Sequence, residues 1–213
     1  MKKTIPVFTT IAVMMIMACN SNPATKETPV EEHTNVVAPV PDTATATDPA
    51  ATPAVDTSIK VIAATFSSVD PGVTSFMGAL VQHYLELKNA LFNADEKVAA
   101  AASAKMETAM KSFDKSLLST DQKKVYDGVE ADLKEHTEHI AKSKLAHQRE
   151  HFAMMSEDMA DLVKAFGAGR PLYLDNCPMY KKGSNWLSEV KEIRNPFYGS
   201  EMPGCGDVTV MYK

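Results

Sequence analysis

Two cysteines and two methionines near the C-terminus are the residues whose types and spacing point to chemistry. They form two short motifs, Cys177-Pro178-Met179 and Met202-Pro203-Gly204-Cys205-Gly206. Thiolate and thioether sulfurs are soft ligands that favour Cu(I), and a pair of thiolates also suits zinc. A reverse turn would bring both pairs of sulfur donors to one ion. The sequence therefore predicts a soft-metal site made of these four side chains, with Cu(I) as the expected ion and Ag(I) or Zn(II) as alternatives.

The same two cysteines also allow a second interpretation, a disulfide. If the chain is exported, Cys177 and Cys205 meet an oxidising compartment in which disulfides persist. Closing a loop of about 28 residues (205 − 177) would stabilise the fold by about 3.5 kcal/mol in the chain-entropy model. The alternative function is therefore a disulfide-stapled structural or protein-interaction domain without a metal. Free thiols in the isolated protein favour the metal site, and a persistent bridge favours the staple.

The first 18 residues have the pattern of a signal peptide. Two lysines precede an apolar run from Ile5 to Met17, which is too short to anchor stably in a bilayer. The run ends in Ile16-Met17-Ala18-Cys19, which resembles the lipobox of bacterial lipoproteins. We therefore expect residues 1–18 to be removed and Cys19 to take a lipid, with ordinary secretory cleavage at the same point as the alternative. The predicted location is extracytoplasmic, on a bacterial membrane facing the periplasm or the cell surface.

Residues 19–58 have the composition of a disordered tether. Pro, Thr and Ala dominate this segment, and no periodic apolar face occurs in it. Such a segment cannot bury enough apolar surface to offset the entropy lost on ordering. We expect it to hold the folded part, residues 59–213, away from the membrane.

Four helical patterns follow, and they predict a mainly α fold. Apolar residues recur at i, i+3 and i+4 in each pattern, and Ser119 followed by Gln122 predicts a capping box at the start of the third. Short connections make neighbouring helices antiparallel, so the expected architecture is an antiparallel four-helix bundle. Two β-like runs, Leu172–Leu174 and Val208–Tyr212, flank the Cys/Met segment and are expected to pair. The four apolar stripes begin at Val73, Val98, Val125 and Phe152, and the second is expected to extend through Met106 and Met110 to Leu117.

Four histidines lie one helical turn apart in pairs, His136 with His139 and His147 with His151. This spacing can place two imidazoles on one metal ion. It is equally compatible with a hydrogen-bonded core histidine at His136 and with solvent-facing histidines at the exposed positions. His151 is the preferred candidate ligand because it borders the apolar face of its helix.

Several separated motifs in the last part of the chain occur in a recognisable order. They are Cys177-Pro178-Met179, Trp186-Leu187-Ser188, Ile193-Arg194-Asn195-Pro196-Phe197-Tyr198-Gly199 and Met202-x-x-Cys205-Gly206, after Arg149-Glu150-His151-Phe152 and Ser156-Glu157 in the last helix. Together they resemble a bacterial domain of unassigned function. That domain occurs alone in exported proteins and fused to the periplasmic adaptors of heavy-metal efflux pumps. The resemblance runs from about Val73 to the C-terminus.

The resemblance implies a helical bundle that binds a soft metal, copper above all, with His151 as a companion to the Cys/Met ligands. It also implies an efflux-pump adaptor as a partner. Cys-Pro-Met is similar to the short heavy-metal-binding modules of copper pumps as well. This chain departs from the family at Tyr180, where a small residue usually follows Cys-Pro-Met, and a bulkier side chain there would narrow or shield the site. The expected function is a lipid-anchored protein that scavenges or hands on copper in heavy-metal resistance.

Other function classes find little support in the residues. The formal net charge is −5 and no basic patch with interleaved aromatic residues occurs, so nucleic acid is not an expected partner. There is no Cys-x-x-Cys redox pair, no Gly-rich phosphate loop and no Ser/His/Asp signature. We therefore do not expect an enzyme.

Overall fold

The structure, a computed structural model, describes residues 59–213. The predicted signal peptide (residues 1–18), the lipidated Cys19 and the predicted tether (residues 19–58) lie outside the described residues. Four α-helices and a four-stranded sheet make up the described part, which confirms the predicted helical bundle with a small C-terminal β segment. Within residues 59–213, no helix combines the length and the apolar character that crossing a membrane requires.

Local signals in the sequence determine where the helices begin and end. The side chain of Asp70 accepts a hydrogen bond from a first-turn amide at 2.7 Å, and Asp95 caps the second helix in the same way. Ser119 and Gln122 form the predicted capping box. The fourth helix ends at Gly167, whose φ of 77° favours glycine. The helices are α1 (Pro71–Phe92), α2 (Glu96–Ser112), α3 (Thr120–Lys142) and α4 (Leu145–Phe166).

The helices pack through their apolar stripes, each against the next in sequence, and α1 also contacts α4 to close the bundle. The second stripe is shorter than predicted. Val98 is 49% exposed, and Leu117 is 38% exposed in a 3-10 turn beyond the end of α2. The turn forms because α2 stops at Ser112 and the side chain of Asp114 then accepts a hydrogen bond from the amide of Ser116 at 2.9 Å.

The strands form one sheet in the order β1-β4-β2-β3. The predicted pairing of the runs at Leu172 and Val208 is confirmed, because β2 and β4 are antiparallel neighbours. The sequence reasoning did not predict β3, which pairs with β2, or β1, which pairs in parallel with β4. The strands are β1 (Lys60–Ile62), β2 (Leu172–Cys177), β3 (Ser184–Ser188) and β4 (Asp207–Tyr212).

A buried hydrogen-bond chain centred on Tyr84 joins the sheet to the helices. The amide of Leu187 in β3 donates to the Tyr84 oxygen at 3.0 Å, and that hydroxyl lies 2.7 Å from Oγ of Ser156 in α4. Since Ser156 donates its own proton to the carbonyl of Phe152, Tyr84 must donate to Ser156. All three polar groups are therefore satisfied in the core, and β3 is held in one position against α1 and α4.

Candidate metal centres

The structure brings the two predicted cysteines together. Cys177 ends β2 and Cys205 lies just before β4, and their Sγ atoms are 3.3 Å apart. Both are free cysteines; Cys177 is fully buried and Cys205 is partly exposed. Two thiolates on a tetrahedral zinc lie about 3.8 Å apart, given a Zn–S distance of about 2.3 Å. The pair therefore needs to open by only about half an ångström to hold a thiophilic ion in that geometry.

Asn195 positions the loop that carries Cys205. Its side-chain amide donates to the Cys205 carbonyl at 2.7 Å, and its Oδ1 accepts the amides of Phe197 and Tyr198 at 2.8 and 3.2 Å. Its own backbone amide donates to the carbonyl of Pro203 at 3.0 Å. One fully buried side chain therefore ties both ends of the segment between residues 195 and 205.

The turn after Cys177 surrounds its sulfur with donors. Burial alone would raise the pKa of the Cys177 thiol. Hydrogen bonds from Cys205, from the amides of Met179 and Tyr180 and from Asn195 outweigh burial, so that the pKa of Cys177 lies below its usual range. The pKa of Cys205 is raised, first because it donates its proton to Cys177 and second because of burial. Cys177 is therefore the thiol that ionises first and is available as a thiolate ligand at lower pH.

Aromatic residues lie in the same core as Cys177. Phe197 stacks on Tyr180 with ring centroids 4.4 Å apart, and Trp186 meets Phe197 edge-on at 5.6 Å. Tyr180, the residue expected to shield the site, is thus part of this aromatic cluster. The backbone at Gly206 lies close to the ring of Trp186 and to the backbone of Asn176. A Cβ at this position would lie 2.9 Å from the Trp186 ring and 2.8 Å from the carbonyl oxygen of Asn176, so only glycine fits.

The two predicted methionine ligands lie in the turns beside the cysteines. Met179 is 61% exposed, and its carbonyl accepts a hydrogen bond from the Tyr198 hydroxyl at 3.4 Å. Met202 is half-buried, and its carbonyl accepts the amide of Cys205 at 3.2 Å. The fold thus brings the two thiols into contact and leaves the thioether of Met179 largely in solvent.

His151, the fifth predicted ligand, lies among three other histidines where α3 and α4 meet. Its Nδ1 is 3.1 Å from Nδ1 of His136, and its Nε2 is 3.1 Å from Nε2 of His147. Its ring stacks on that of His139 with centroids 4.3 Å apart. Donor atoms of His139, His147 and His151 lie within 4.8 Å of one another, and this is the one such group of three among residues 59–213. His151 therefore joins imidazoles and not the two thiols.

The contacts of this histidine cluster (His136, His139, His147 and His151) determine where its protons lie when the imidazoles are neutral. An ionised Glu150 only accepts, so His147 must donate from Nδ1 across their 3.1 Å contact. Nε2 of His147 then accepts a hydrogen bond from Nε2–H of His151, and Nδ1 of His151 accepts one from Nδ1–H of His136. His136, His151 and His147 therefore form a directed hydrogen-bond chain that ends on the Glu150 carboxylate, and His139 stacks on His151 beside it.

Burial keeps two members of the cluster uncharged. The pKa of His151 is lowered to about 4, first by burial and then by the nearby imidazoles. Burial also lowers the pKa of His136, although the carboxylates of Glu135 and Asp132 partly oppose this. A neutral imidazole has a lone pair free for a metal ion, so the shifts favour ligation over protonation near neutral pH.

Comparison with known proteins identifies only the helical part of the chain. Residues 80–170 match the family described as Protein of unknown function (DUF3347). No curated protein and no solved structure matches the chain. The DUF3347 match covers all four histidines of the cluster and ends before Cys177. It agrees with the resemblance over the helices, while the C-terminal motifs and the link to efflux adaptors stay predictions.

The sequence indicates both histidine pairs, but the prediction did not place them in one cluster. The signal was present, because only Ser143 and Lys144 separate α3 from α4. A connection this short folds the end of α3 against the start of α4, so histidines within two turns on either side face each other. The pairs are therefore parts of one cluster.

Proposed function

We propose that this protein is a lipid-anchored extracytoplasmic protein that binds a soft metal ion, copper above all, through Cys177 and Cys205. It would scavenge the ion or hand it on in heavy-metal homeostasis and efflux, with a pump adaptor as the recipient. The observation that carries the proposal is the pair of free thiols whose sulfurs lie 3.3 Å apart in a loop held by Asn195. Thiolate is the side-chain donor that Cu(I) prefers.

The asymmetry of the pair suits transfer of an ion. Cys177 is buried and surrounded by donors, whereas Cys205 is partly exposed and Met179 lies in solvent beside the turn. An incoming ion can meet Met179 and Cys205 at the surface before it reaches Cys177. Cys177 is buried in the same core as Trp186 and Phe197, and exclusion of water from its sulfur strengthens a metal–thiolate bond there.

A Cu(I) competition titration tests the proposal. The full-length chain carrying Cys19→Ser is reduced and titrated against a Cu(I) chelator, beside the same chain carrying Cys177→Ser and Cys205→Ser. We expect one tightly bound Cu(I) per chain, lost in the double variant, and a smaller loss of affinity in Met179→Leu. Equal binding by the parent and the double variant would contradict the proposal.

A thiol count on the protein isolated without reductant tests the alternative, a disulfide staple. Two reactive thiols in the Cys19→Ser chain agree with a metal site. A Cys177–Cys205 bridge that persists, together with no Cu(I) binding after reduction, would make the pair a structural staple.

The lipid anchor is tested separately by fractionating cells that express the full-length chain with its own leader. We expect the protein in the membrane fraction and a mass that includes the lipid on Cys19. Cys19→Ser is expected to lose the lipid mass, because serine has no thiol to take the lipid. A lipid mass that is unchanged in that variant would argue against lipidation at Cys19.

A further inference from the structure

The histidine cluster has donor distances close to those of a metal site. Nε2 of His147 and Nε2 of His151 are 3.1 Å apart. Two imidazoles on one tetrahedral zinc lie about 3.3 Å apart, given a Zn–N distance of about 2.0–2.1 Å. The third donor, on His139, lies within 4.8 Å of the other two. The ring of His139 is stacked at 11° on that of His151, so this exposed side chain must change its ring orientation before its lone pair points at the same ion.

The helices that carry these donors are held together before any ion binds. Buried Gln148 lies between the two ligands of α4, and its side-chain amide donates to the carbonyl of Ile140 in α3 at 3.0 Å and to that of Glu96 at 3.1 Å. The Glu96 carboxylate accepts the amide of Leu145 at 3.0 Å, which fixes the first turn of α4. A preorganised donor set loses little entropy on binding.

The histidine ligands have hydrogen-bond partners of the kind that orient metal-bound imidazoles. Glu150 lies 3.1 Å from Nδ1 of His147, which gives the carboxylate–histidine arrangement that orients a ligand. His136 is the corresponding hydrogen-bond partner of His151, and its Nδ1 lies 3.1 Å from Nδ1 of the His151 ring. The carboxylates of Asp132 and Glu135 add negative potential around His136, which favours a cation.

We propose that His139, His147 and His151 form a second metal site, selective for a borderline divalent cation such as Zn(II) or Cu(II), with a solvent-facing fourth position. Imidazole nitrogen suits these ions, whereas the thiol pair suits Cu(I). His139 and His147 are exposed, so the ion has direct access from solvent. The site is separate from the thiol site and does not depend on its proposed function.

Occupancy would reverse one hydrogen bond. In the neutral metal-free chain, His136 donates to Nδ1 of His151, and His151 keeps its proton on Nε2. A metal ion on Nε2 moves the His151 proton to Nδ1, which must then donate to His136. The His136 proton accordingly moves from Nδ1 to Nε2. No proton is gained or lost, and both rings change tautomer.

A Zn(II) titration of a chain without thiols tests the site. The full-length chain carrying Cys19→Ser, Cys177→Ser and Cys205→Ser is titrated with Zn(II) by competition against a chromophoric chelator. We expect one ion per chain, and His139→Ala and His147→Ala each to weaken binding at least tenfold. Both side chains are exposed, so these variants keep the fold, which circular dichroism checks. His83→Ala, a histidine on α1 paired with Glu86, is the matched control and is expected to leave binding unchanged.

Two further measurements sharpen the test. Glu150→Gln is expected to weaken binding about tenfold through the orientation of His147. Nitrogen chemical shifts of the His136 and His151 rings report the tautomer change directly when Zn(II) is added. No binding by the thiol-free chain, equal losses in His83→Ala and His147→Ala, or unchanged tautomers at saturation would each overturn the proposal. Since no thiol is present, none of these results bears on the Cu(I) site.

Discussion

The thiol pair and the histidine cluster place donor atoms at similar distances by different means. The two cysteines are 28 residues apart and meet because Asn195 and Gly206 fold a loop against the sheet. The histidines meet because two helices are joined by a two-residue turn. The distance between the two thiols therefore depends on the whole C-terminal segment. The distances within the histidine cluster depend on the hairpin of α3 and α4.

The two regions also differ in how much of the fold depends on them. Cys177 lies in the core with Trp186 and Phe197, so changes near it disturb packing. His139 and His147 are on the surface, so they can be replaced with little effect on stability. The contrast predicts that substitutions around the thiol pair change stability and Cu(I) binding together. Substitutions of His139 and His147 should change only binding of a divalent ion.

Gly206→Ala should have the largest effect. The new Cβ would lie 2.8 Å from the Asn176 carbonyl oxygen, on a residue whose φ is 142°. We expect a loss of roughly 2 kcal/mol or more in the free energy of unfolding, measured by denaturant titration, and weaker Cu(I) binding. Gly204→Ala is the matched control, since nothing lies within 4 Å of a Cβ there. Equal stability of the two variants would contradict the tight approach at Gly206.

Asn195→Ala is expected to have the next largest effect. It removes the donor to the Cys205 carbonyl and the acceptor for the amides of Phe197 and Tyr198. Because these groups are left unpaired, we expect a loss of about 2–3 kcal/mol, with faster alkylation of Cys205. Asn185→Ala, which loses one side-chain hydrogen bond to Asn176, should cost less. Zn(II) affinity at the histidine cluster should stay the same in both variants. A loss of Zn(II) affinity together with the loss of stability would show that the two regions are not independent.

The smallest effect is expected on the helical side, from Asp158 in α4. Partial burial and repulsion from Asp132, Asp161 and Glu157 raise the pKa of Asp158 from 3.8 to about 6. The folded state therefore holds this proton more tightly than the unfolded chain, and its contribution to stability is present below about pH 4 and lost as the pH rises through about 6.

Asp158→Asn should consequently raise the melting temperature slightly at pH 7.5 and flatten its dependence on pH between 4 and 6. Thermal unfolding followed by circular dichroism at several pH values measures both effects. Asp121→Asn, at an exposed residue paired with Lys124, is the control. A variant less stable than the parent at pH 7.5 would show that the charged form of Asp158 is stabilised by the fold.

Much of the helical architecture follows from the sequence because its causes are local. Asp70, Asp95 and Ser119 cap helices through amides at most three residues away, and the apolar stripes repeat within single helices. The stripe of α2 was predicted too long because the apolar spacing continues to Leu117. The cap at Asp114 that interrupts the helix is a local signal too, but periodicity alone does not reveal it.

The sequence by itself determined the helices, the pairing of β2 with β4 and the residue types that offer metal ligands. Only the tertiary structure decided which of those ligands share a site. Cys177 and Cys205 meet through hydrogen bonds of Asn195, and His151 meets His139 and His147 and not the thiols. The physical reason is the distance along the chain over which each kind of interaction acts. Caps and periodicity act within a few residues, whereas the position of a donor atom depends on packing between elements far apart in the chain.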